Sequence, residues 1–219
     1  MDKIFTCFDN AYFNVYGISW IASLRTLGGY KGPIYAISFE NFVQPLVDKL
    51  LNEKVFLLNA HDKPKNQKTI IDMIQKEVHG NFAYWDIDGY FANSIESLPI
   101  KDKFLLVNGL NGFFAGGQKS LSICFEYNRF CDLCGFNMNF DFYKYFPNLV
   151  DFVGCEWNFH QVNRPIPRDT KFVHFMGEMK NLVSRENLSF KDKFPEIHKE
   201  WAAKFNISTA MKLLRKRNE

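Results

Sequence analysis

The chain has 219 residues and a formal net charge of only +3, from 27 Lys and Arg against 24 Asp and Glu. It contains 24 Phe, and so much apolar surface with so little net charge excludes a disordered chain. No run approaches the roughly 18 apolar residues of a membrane-spanning helix, and the small charge argues against nucleic acid as a partner. We expect a soluble protein.

The first ninety residues alternate between strand and helix patterns. Short apolar runs predict strands, and apolar residues spaced by three and four predict the helices between them. The predicted strands are residues 4–8, 33–39, 54–58 and 82–87, and the helical stripes are 15–24, 43–51 and 70–78. This alternation predicts βαβ units and an α/β fold, with a Rossmann-like, mostly parallel sheet flanked by helices. Such sheets bind ligands at the carboxyl ends of their strands.

The pattern beyond Asp88 is less regular. We predict strands at 104–107 and 171–175, a helix from about Lys119 to Leu133, and a last helix from about Pro195 to Arg217. No repeat or linker divides the chain, so we expect a single domain. Its expected parts are a nucleotide-binding half (1–90), an acceptor and catalytic half (91–185) and a C-terminal helical tail (186–219).

The cysteines and the start of the chain indicate the compartment. The start, Met1–Thr6, lacks the basic and apolar regions of a secretory signal, so we expect a cytoplasmic location. Five irregularly spaced Cys fit reduced thiols. A zinc site built on Cys131 and Cys134, with Cys155 and His160, is the weaker interpretation, because a lone C-x-x-C in an apolar helical pattern usually serves packing.

The sharpest motif is Asp86-Ile87-Asp88-Gly89 at the end of the fourth predicted strand. Because side chains alternate along a strand, Asp86 and Asp88 point to one side and Ile87 points to the other. Converging carboxylates repel each other, and a divalent cation with oxygen ligands is the usual resolution. Two solvated acids in a turn are the alternative, but the position at a strand end favours a metal site.

The same four residues resemble the start of the haloacid-dehalogenase phosphatase motif, in which the first Asp attacks phosphate and the second acts as an acid. That motif continues with Thr or Val at the place of Tyr90, and it requires a later pair of acids that the sequence does not show. The phosphatase interpretation is therefore weaker.

A second motif closes the predicted strand at 171–175. His174 offers a metal ligand, Gly177 permits a close approach of the backbone to phosphate, and Lys180 supplies a cation. A lone His at such a place is more often a half-buried structural residue. The presence of an Asp pair elsewhere in the chain favours a site for a metal-bound diphosphate.

In this order, the motifs resemble those of glycosyltransferases with the GT-A fold. The nearest pattern is that of family 8, the glycogenin and bacterial lipopolysaccharide galactosyltransferase group. The opening segment Phe5–Tyr12 also resembles that family's first strand and nucleotide-contacting turn, and the resemblance covers about positions 3–180. The matching motifs are Asp86-x-Asp88, the segment 111–117 (Asn-Gly-Phe-Phe-Ala-Gly-Gly) and His174-x-x-Gly177-x-x-Lys180.

This resemblance implies a role for each matching residue. Asp86, Asp88 and His174 would bind Mn²⁺ or Mg²⁺, and the imidazole favours Mn²⁺. Asp88 would also take part in catalysis, and Lys180 would stabilise charge on the departing nucleoside diphosphate. The expected donor is a UDP-sugar, and the residues that the resemblance implies in binding it are Phe8, Asp9, Asn10, Asp86, Asp88, Asn111, Gly177 and Lys180.

Two departures from the family 8 pattern leave the stereochemistry open. Asn111 is followed by Gly112-Phe113 where that family has Ala-Gly, and its Asp-Gln-Asp motif is not evident. The Gly-Phe-Phe-x-Gly-Gly form resembles the α-galactosyltransferases of family 6, in which a Glu lies close to the reacting sugar carbon. Glu156 occupies a comparable place and is the candidate catalytic residue for either retention or inversion.

The resemblance as a whole implies a metal-dependent transferase that moves a hexose to a glycan or lipid-linked acceptor. Three alternatives belong to other classes: the phosphatase, a non-catalytic glycan-binding module, and a sugar-phosphate nucleotidyltransferase. A nucleotidyltransferase would show a Gly-rich basic segment after its first strand, which is absent after Phe8. A binding module would not need Asp86, Asp88, His174 and Lys180 to converge.

Aromatic residues raise two further interpretations. Trp85, Trp157 and Phe159 could stack on sugar rings, although a place in the core is the favoured interpretation. Trp201 and Phe205 share the last predicted helix with several cations, so this helix could contact an anionic membrane peripherally. A packed terminal helix is the slightly favoured alternative.

Overall fold

The computed structural model describes residues 1–107, 110–122, 126, 147–161, 165–175 and 190–205. These residues form one seven-stranded sheet, a smaller three-stranded sheet and helices that cover them. The mixed α/β architecture confirms the predicted fold class.

The amino-terminal half shows the alternation that its hydrophobic pattern predicts. Each predicted strand and helix is present, with bounds that differ by one to a few residues. Its elements are β1 (Lys3–Phe8), α1 (Asn10–Tyr12), a π-helical turn (Phe13–Gly17), α2 (Ile18–Thr26), β2 (Ile34–Ser38), α3 (Gln44–Asn52), β3 (Val55–Asn59), α4 (Gln67–Glu77) and β4 (Phe82–Trp85).

Local chemistry sets where these helices begin and end. Asn66 caps α4, since its side-chain oxygen accepts a 2.9 Å hydrogen bond from the amide of Thr69. After α2, the backbone turns through Gly29 at a φ of 74°, a left-handed conformation that glycine adopts without steric cost. A side-chain cap therefore marks the start of α4, and a glycine marks the turn after α2.

The large sheet has the strand order β3-β2-β1-β4-β7-β6-β8. The pairs β3–β2, β2–β1 and β1–β4 are parallel, as the βαβ pattern predicts. Strand β7 runs antiparallel to both of its neighbours, and β6 pairs in parallel with β8. The carboxyl ends of β1 and β4 are therefore neighbours on one edge of the sheet.

The second half holds strands that were only partly predicted. The strands at 104–107 and 171–175 are confirmed, whereas the segment 111–117, interpreted as a motif, forms most of a further strand. Its elements are β5 (Gly89–Phe91), β6 (Phe104–Val107), β7 (Leu110–Gly116), 3₁₀ turns (Pro147–Leu149 and Cys155–Asn158), β8 (Val150–Val153), β9 (Phe159–Gln161), β10 (Phe172–Phe175), α5 (Phe190–Lys193) and α6 (Pro195–Lys204).

Two predicted helices are described only at their starts. Residues 118–122 are helical, as expected near Lys119, but the rest of the segment to Leu133 lies almost wholly outside the described residues, as do Cys131 and Cys134. The last predicted helix begins at Pro195 as α6, and its expected continuation to Arg217 also lies outside them.

The smaller sheet, ordered β5-β10-β9, joins the strand directly after the Asp motif to two strands from later in the chain. Strand β10 pairs antiparallel with β5 and in parallel with β9. In this register His174 lies opposite Gly89 on one side and His160 on the other. The sheet thus brings the segment after the Asp motif next to His174.

Hydrophobic residues pack in two clusters, one on each face of the large sheet. Alternation along β1 sends Ile4 to one cluster and Phe5 to the other. Trp85, Trp157 and Phe159 are all buried, which confirms that they are core residues. Each of them is at most 5% exposed, so none offers a face to a sugar.

Helix α6 packs against this core. Trp201 and Phe205 are 5% and 1% exposed, and the Phe205 ring lies 6.4 Å from that of Phe13. These two residues are therefore packed, and they are not available to a membrane surface. Among the described residues, every helix is too short or too polar to cross a lipid bilayer.

Candidate functional site

The side chains of Asp86, Asp88 and His174 meet at the carboxyl end of β4. His174 Nε2 lies 3.0 Å from Asp88 Oδ1 and 3.8 Å from Asp86 Oδ2. One ligand atom from each residue can be chosen so that all three lie within 4.8 Å of one another. The structure thus brings together the three residues that the sequence suggested as metal ligands.

The burial of these three residues is uneven. Asp88 and His174 are 3% and 2% exposed, whereas the Asp86 side chain is 35% exposed. A buried carboxylate needs a compensating positive charge or hydrogen-bond donors, since it has lost its hydration. Two carboxylate oxygens and one imidazole nitrogen form a donor set that suits Mn²⁺, and Mg²⁺ less well. The residues present therefore fit a divalent cation, with Asp86 on the solvent side.

Main-chain hydrogen bonds hold the Asp segment in place. The amide of Asp86 donates to the carbonyl of Gly112 at 2.8 Å, and Trp20 Nε1 donates to the Asp86 carbonyl at 3.0 Å. On the other side, the amide of Phe175 donates to the Asp88 carbonyl at 2.8 Å. The segment is therefore tied both to β7 and to the residue that follows His174.

Gly112 closes one wall of the site. Its φ is 92°, and a Cβ at this position would lie 2.4 Å from His174 Cε1 and 2.7 Å from Asp86 Oδ2. Only glycine fits here, because both the backbone conformation and the space exclude a side chain. The sequence motif 111–117 contained this residue, but its spacing gave no sign of the contact. Asn111 precedes it in β7, and its side chain lies outside what the structure describes.

Tyr84 and Cys7 support the site from the β1 side. The Tyr84 hydroxyl donates a 2.6 Å hydrogen bond to Asp86 Oδ1, and Cys7 Sγ lies 3.0 Å from the Tyr84 oxygen. Burial, with the charge of Asp86 added, raises the pKa of the Cys7 thiol to about 12 and that of Tyr84 well above its ordinary value. Both groups therefore stay protonated. No sequence motif pointed to either residue, although strand alternation places Tyr84 on the same side as Asp86.

His160 lies beside His174 on the neighbouring strand. The two rings are nearly perpendicular, with centroids 5.0 Å apart, and Asn158 Nδ2 lies 3.4 Å from His160 Nε2. His174 Nδ1 is buried and has no hydrogen-bond partner among the described residues. The sequence suggested His160 only as a possible zinc ligand together with the cysteines. In the structure it lies next to His174 of the Asp–Asp–His cluster.

Several polar residues lie at the carboxyl end of β1, where the resemblance implies contacts to the base and ribose of the nucleotide sugar. Asp9 accepts a 2.8 Å hydrogen bond from the Tyr12 amide and forms an ion pair with Lys65. The amide of Asn10 donates to Glu40 at 3.0 Å. Burial opposes ionisation of Asp9, but the bonds from Lys65 and Tyr12 outweigh it and hold its pKa below the ordinary value. No motif in the sequence predicted that Lys65 would lie at this position.

The other candidate residues occupy different places. The ring of Phe8 is 2% exposed and packs on Phe13, so a ligand contact from Phe8 would have to come from its main chain. Glu156 lies in the 3₁₀ turn, where its carbonyl accepts from the Lys171 amide at 2.6 Å. In the described part of the chain, its carboxylate does not join the Asp–Asp–His cluster. Gly177 and Lys180 lie outside the described residues.

Comparison with solved structures confirms the fold class. The chain is similar to the glycosyltransferase GlyE of Streptococcus pneumoniae TIGR4, with a TM-score of 0.65 at 13% identity, over 96% of this chain and 64% of that one. The apo form of GlyE gives a TM-score of 0.63 at 12% identity, with the same coverage. No family model matches the sequence, and no curated protein matches it.

The likeness to GlyE is one of fold. The chain spans less than two thirds of the length of the two GlyE structures, 64% in each case. At 12–13% identity the comparison shows a shared fold and does not by itself assign an activity. Membership of family 8 stays a prediction.

Proposed function

We propose that the chain is a metal-dependent glycosyltransferase that moves a hexose from a nucleotide sugar, with UDP as the expected nucleotide, to a glycan or lipid-linked acceptor. The observation that carries this proposal is the convergence of Asp86, Asp88 and His174 at a strand end. That cluster lies in a chain whose fold is similar to that of a glycosyltransferase.

Asp86, Asp88 and His174 would hold Mn²⁺ or Mg²⁺. When bound, the cation would supply positive charge that stabilises the diphosphate as the bond to the sugar breaks. Asp88 and His174 are buried, so they would form the inner wall of the site, and Asp86 would face the donor. Gly112 leaves room for this arrangement because it has no side chain.

The remaining roles follow from position. Asp9 and Asn10 lie at the end of β1, next to β4, and would contact the base and ribose of the donor. Gly177 and Lys180 would bind the diphosphate. Glu156 is proposed as the catalytic carboxylate near the reacting sugar carbon, which leaves retention and inversion both open. A peripheral membrane contact would have to come from residues after Phe205, since Trp201 and Phe205 are packed.

The experiment that tests this function is thermal unfolding with UDP, UDP-glucose and UDP-galactose, each with and without Mn²⁺. We expect stabilisation by nucleotide only when Mn²⁺ is present, because ligands that bind the folded state raise its melting temperature. The Asp88→Asn variant should lose this effect. Asp151→Asn is the matched control, because Asp151 lies on β8 and forms a surface ion pair with Lys103. The proposal would be refuted if none of these nucleotides stabilised the wild type in a metal-dependent way.

The second readout is transfer itself. Release of UDP from the two donors should require Mn²⁺ or Mg²⁺ and should fall at least about 100-fold in Asp88→Asn, as expected for loss of the charge that stabilises a leaving group. Stabilisation by the nucleotides without any release of UDP would favour the non-catalytic binding module.

A further inference from the structure

We propose that Tyr84 is a positioning residue, whose hydroxyl holds one oxygen of the Asp86 carboxylate so that the other oxygen faces the cation. The inference rests on the proposed function, since it assigns a role toward the proposed metal site. It concerns a residue that does not itself reach the cation or the donor.

The two carboxylate oxygens of Asp86 have different partners. Oδ1 accepts the 2.6 Å hydrogen bond from Tyr84, and Oδ2 lies 3.8 Å from His174 Nε2. A hydroxyl that bonds to an ionised carboxylate forms a short, charge-assisted hydrogen bond. Oδ1 is thereby committed to Tyr84, and Oδ2 is the oxygen directed toward His174 and Asp88.

The Tyr84 hydroxyl is itself held in one orientation. A phenol has a single proton, and because an ionised carboxylate only accepts, Tyr84 uses that proton for Asp86. The thiol of Cys7, with Sγ 3.0 Å away, then donates to the phenol oxygen. Cys7, Tyr84 and Asp86 form a directed chain of two hydrogen bonds that ends at the site.

The Tyr84 ring is also fixed by packing. It is 3% exposed and stacks on Phe114 of β7, with centroids 4.6 Å apart and an interplanar angle of 15°. The two residues are directly paired across β4 and β7. A rigid ring gives its hydroxyl a fixed position. A ligand carboxylate whose other oxygen is already hydrogen-bonded binds a metal with less loss of side-chain entropy.

Asp86 needs this support more than Asp88 does. Its side chain is 35% exposed, whereas that of Asp88 is 5% exposed and bonded to His174. Without the Tyr84 hydroxyl, Asp86 Oδ1 would lose a buried hydrogen-bond donor. Loss of such outer hydrogen bonds typically weakens metal binding by roughly 10- to 100-fold.

The test is the Tyr84→Phe variant, with Mn²⁺ alone as the probe, measured by titration calorimetry and by the EPR signal of free Mn²⁺. We expect the Kd for Mn²⁺ to rise by roughly 10- to 100-fold. Phe keeps the ring that stacks on Phe114, so the melting temperature without metal should change by only a few degrees. Tyr35→Phe is the control, because it removes a hydroxyl from β2, which β1 separates from β4, and it should leave the Kd unchanged.

A double-mutant cycle separates positioning from a general structural effect. If Tyr84 acts through Asp86, then adding Tyr84→Phe to Asp86→Asn should weaken Mn²⁺ binding no further. Additive losses, or an unchanged Kd in Tyr84→Phe, would overturn the inference while leaving the proposed metal site intact. If the wild type failed to bind Mn²⁺, the proposed metal site would be wrong, and so would this role of Tyr84.

Discussion

His174 Nε2 lies 3.0 Å from Asp88 Oδ1, although 86 positions separate the two residues. The pairing of β10 with β5 creates this contact, since it places His174 opposite Gly89, the residue after Asp88. The amide of Phe175, next to His174, also donates to the Asp88 carbonyl. Main-chain pairing thus brings the imidazole and the carboxylate into contact.

The role of His174 predicts a change in metal preference. In His174→Gln an amide oxygen replaces the imidazole nitrogen, and imidazole is the donor that favours Mn²⁺ over Mg²⁺. We expect the Kd for Mn²⁺ to rise at least about 10-fold and the Kd for Mg²⁺ to change less. Calorimetric titration with each metal measures both constants.

His198→Gln is the matched control for this variant. His198 lies on α6, where Nδ1 is 3.1 Å from Ser19 Oγ, outside the Asp–Asp–His cluster. Equal losses for the two metals in His174→Gln would contradict a direct role of the imidazole as a ligand.

Gly112→Ala should damage the site and the fold together. The added Cβ would lie 2.4 Å from His174 Cε1, and the φ of 92° is unfavourable for alanine. We expect the free energy of unfolding to fall by roughly 1–3 kcal/mol and Mn²⁺ binding to weaken. Urea unfolding and metal titration measure the two effects.

Gly117→Ala provides the comparison for this prediction. Among the described residues, a Cβ at Gly117 meets only Asn81 Oδ1 at 3.4 Å and the Lys101 carbonyl at 3.8 Å, which are ordinary contacts. If the two alanine variants lose similar stability, the clash with His174 is not the cause.

The ion pair of Asp9 with Lys65 predicts a dependence of stability on pH. The pKa of Asp9 lies below its ordinary 3.8, so the pair contributes stability above that pH and loses it as the pH falls through the lowered value. Lys65 is 55% exposed on its side chain, so solvent screens the pair and limits its contribution to below about 1 kcal/mol.

Asp9→Asn should therefore flatten the acid branch of the stability curve, measured by urea unfolding between about pH 5 and pH 2. Asp48→Asn, which removes the same charge from an exposed position on α3, is the control. An acid branch in Asp9→Asn as steep as that of the wild type would show that another group dominates the loss.

Arg25 is a buried cation outside the Asp–Asp–His cluster, and we expect its removal to reduce stability strongly. It is 6% exposed, and its guanidinium donates to the carbonyls of Tyr30, Gly32 and Glu53 at 3.0, 2.7 and 2.6 Å. Arg25→Met leaves these carbonyls without their donor, so the free energy of unfolding should fall by at least about 2 kcal/mol. Arg25→Lys should recover only part, because an ammonium cannot span all three.

Urea unfolding measures this effect, with Lys31→Met as the control, since Lys31 donates to the single carbonyl of Arg25 within the described part of the chain. Metal binding by Arg25→Met should match the wild type below the unfolding transition. A stability loss no larger than that of Lys31→Met would show that the three carbonyls find other partners.

The sequence predicted the parts of the site that lie close together in the chain. Asp86 and Asp88 are separated by one residue after a strand, so alternation alone places both carboxylates on one side. His174 was predicted as their partner through a resemblance of motifs, because no local pattern connects β4 with β10. Tyr84 was within reach of the same alternation argument, yet a tyrosine in an apolar run is indistinguishable from a core residue.

The contributions of Gly112 and Cys7 could not be predicted in this way. The contact of Gly112 with His174 depends on β7 lying beside β4 in an antiparallel register, and the sequence did not predict β7 as a strand. Cys7 approaches Tyr84 because β1 pairs with β4 in parallel, with Phe5 opposite Tyr84. Both contacts join residues from different strands, so they depend on pairing partners and register.

By itself, the sequence determined the α/β class, the parallel arrangement of β1 to β4 and the carboxylate pair at the end of β4, since these follow from periodicities of two to four residues. Only the tertiary structure decided which side chains surround that pair. The smaller sheet placed His174 and His160 beside it, and β7 placed Gly112 against it. The physical reason is that every strand offers the same backbone donors and acceptors, so the side-chain pattern within one strand does not specify which distant strand pairs with it.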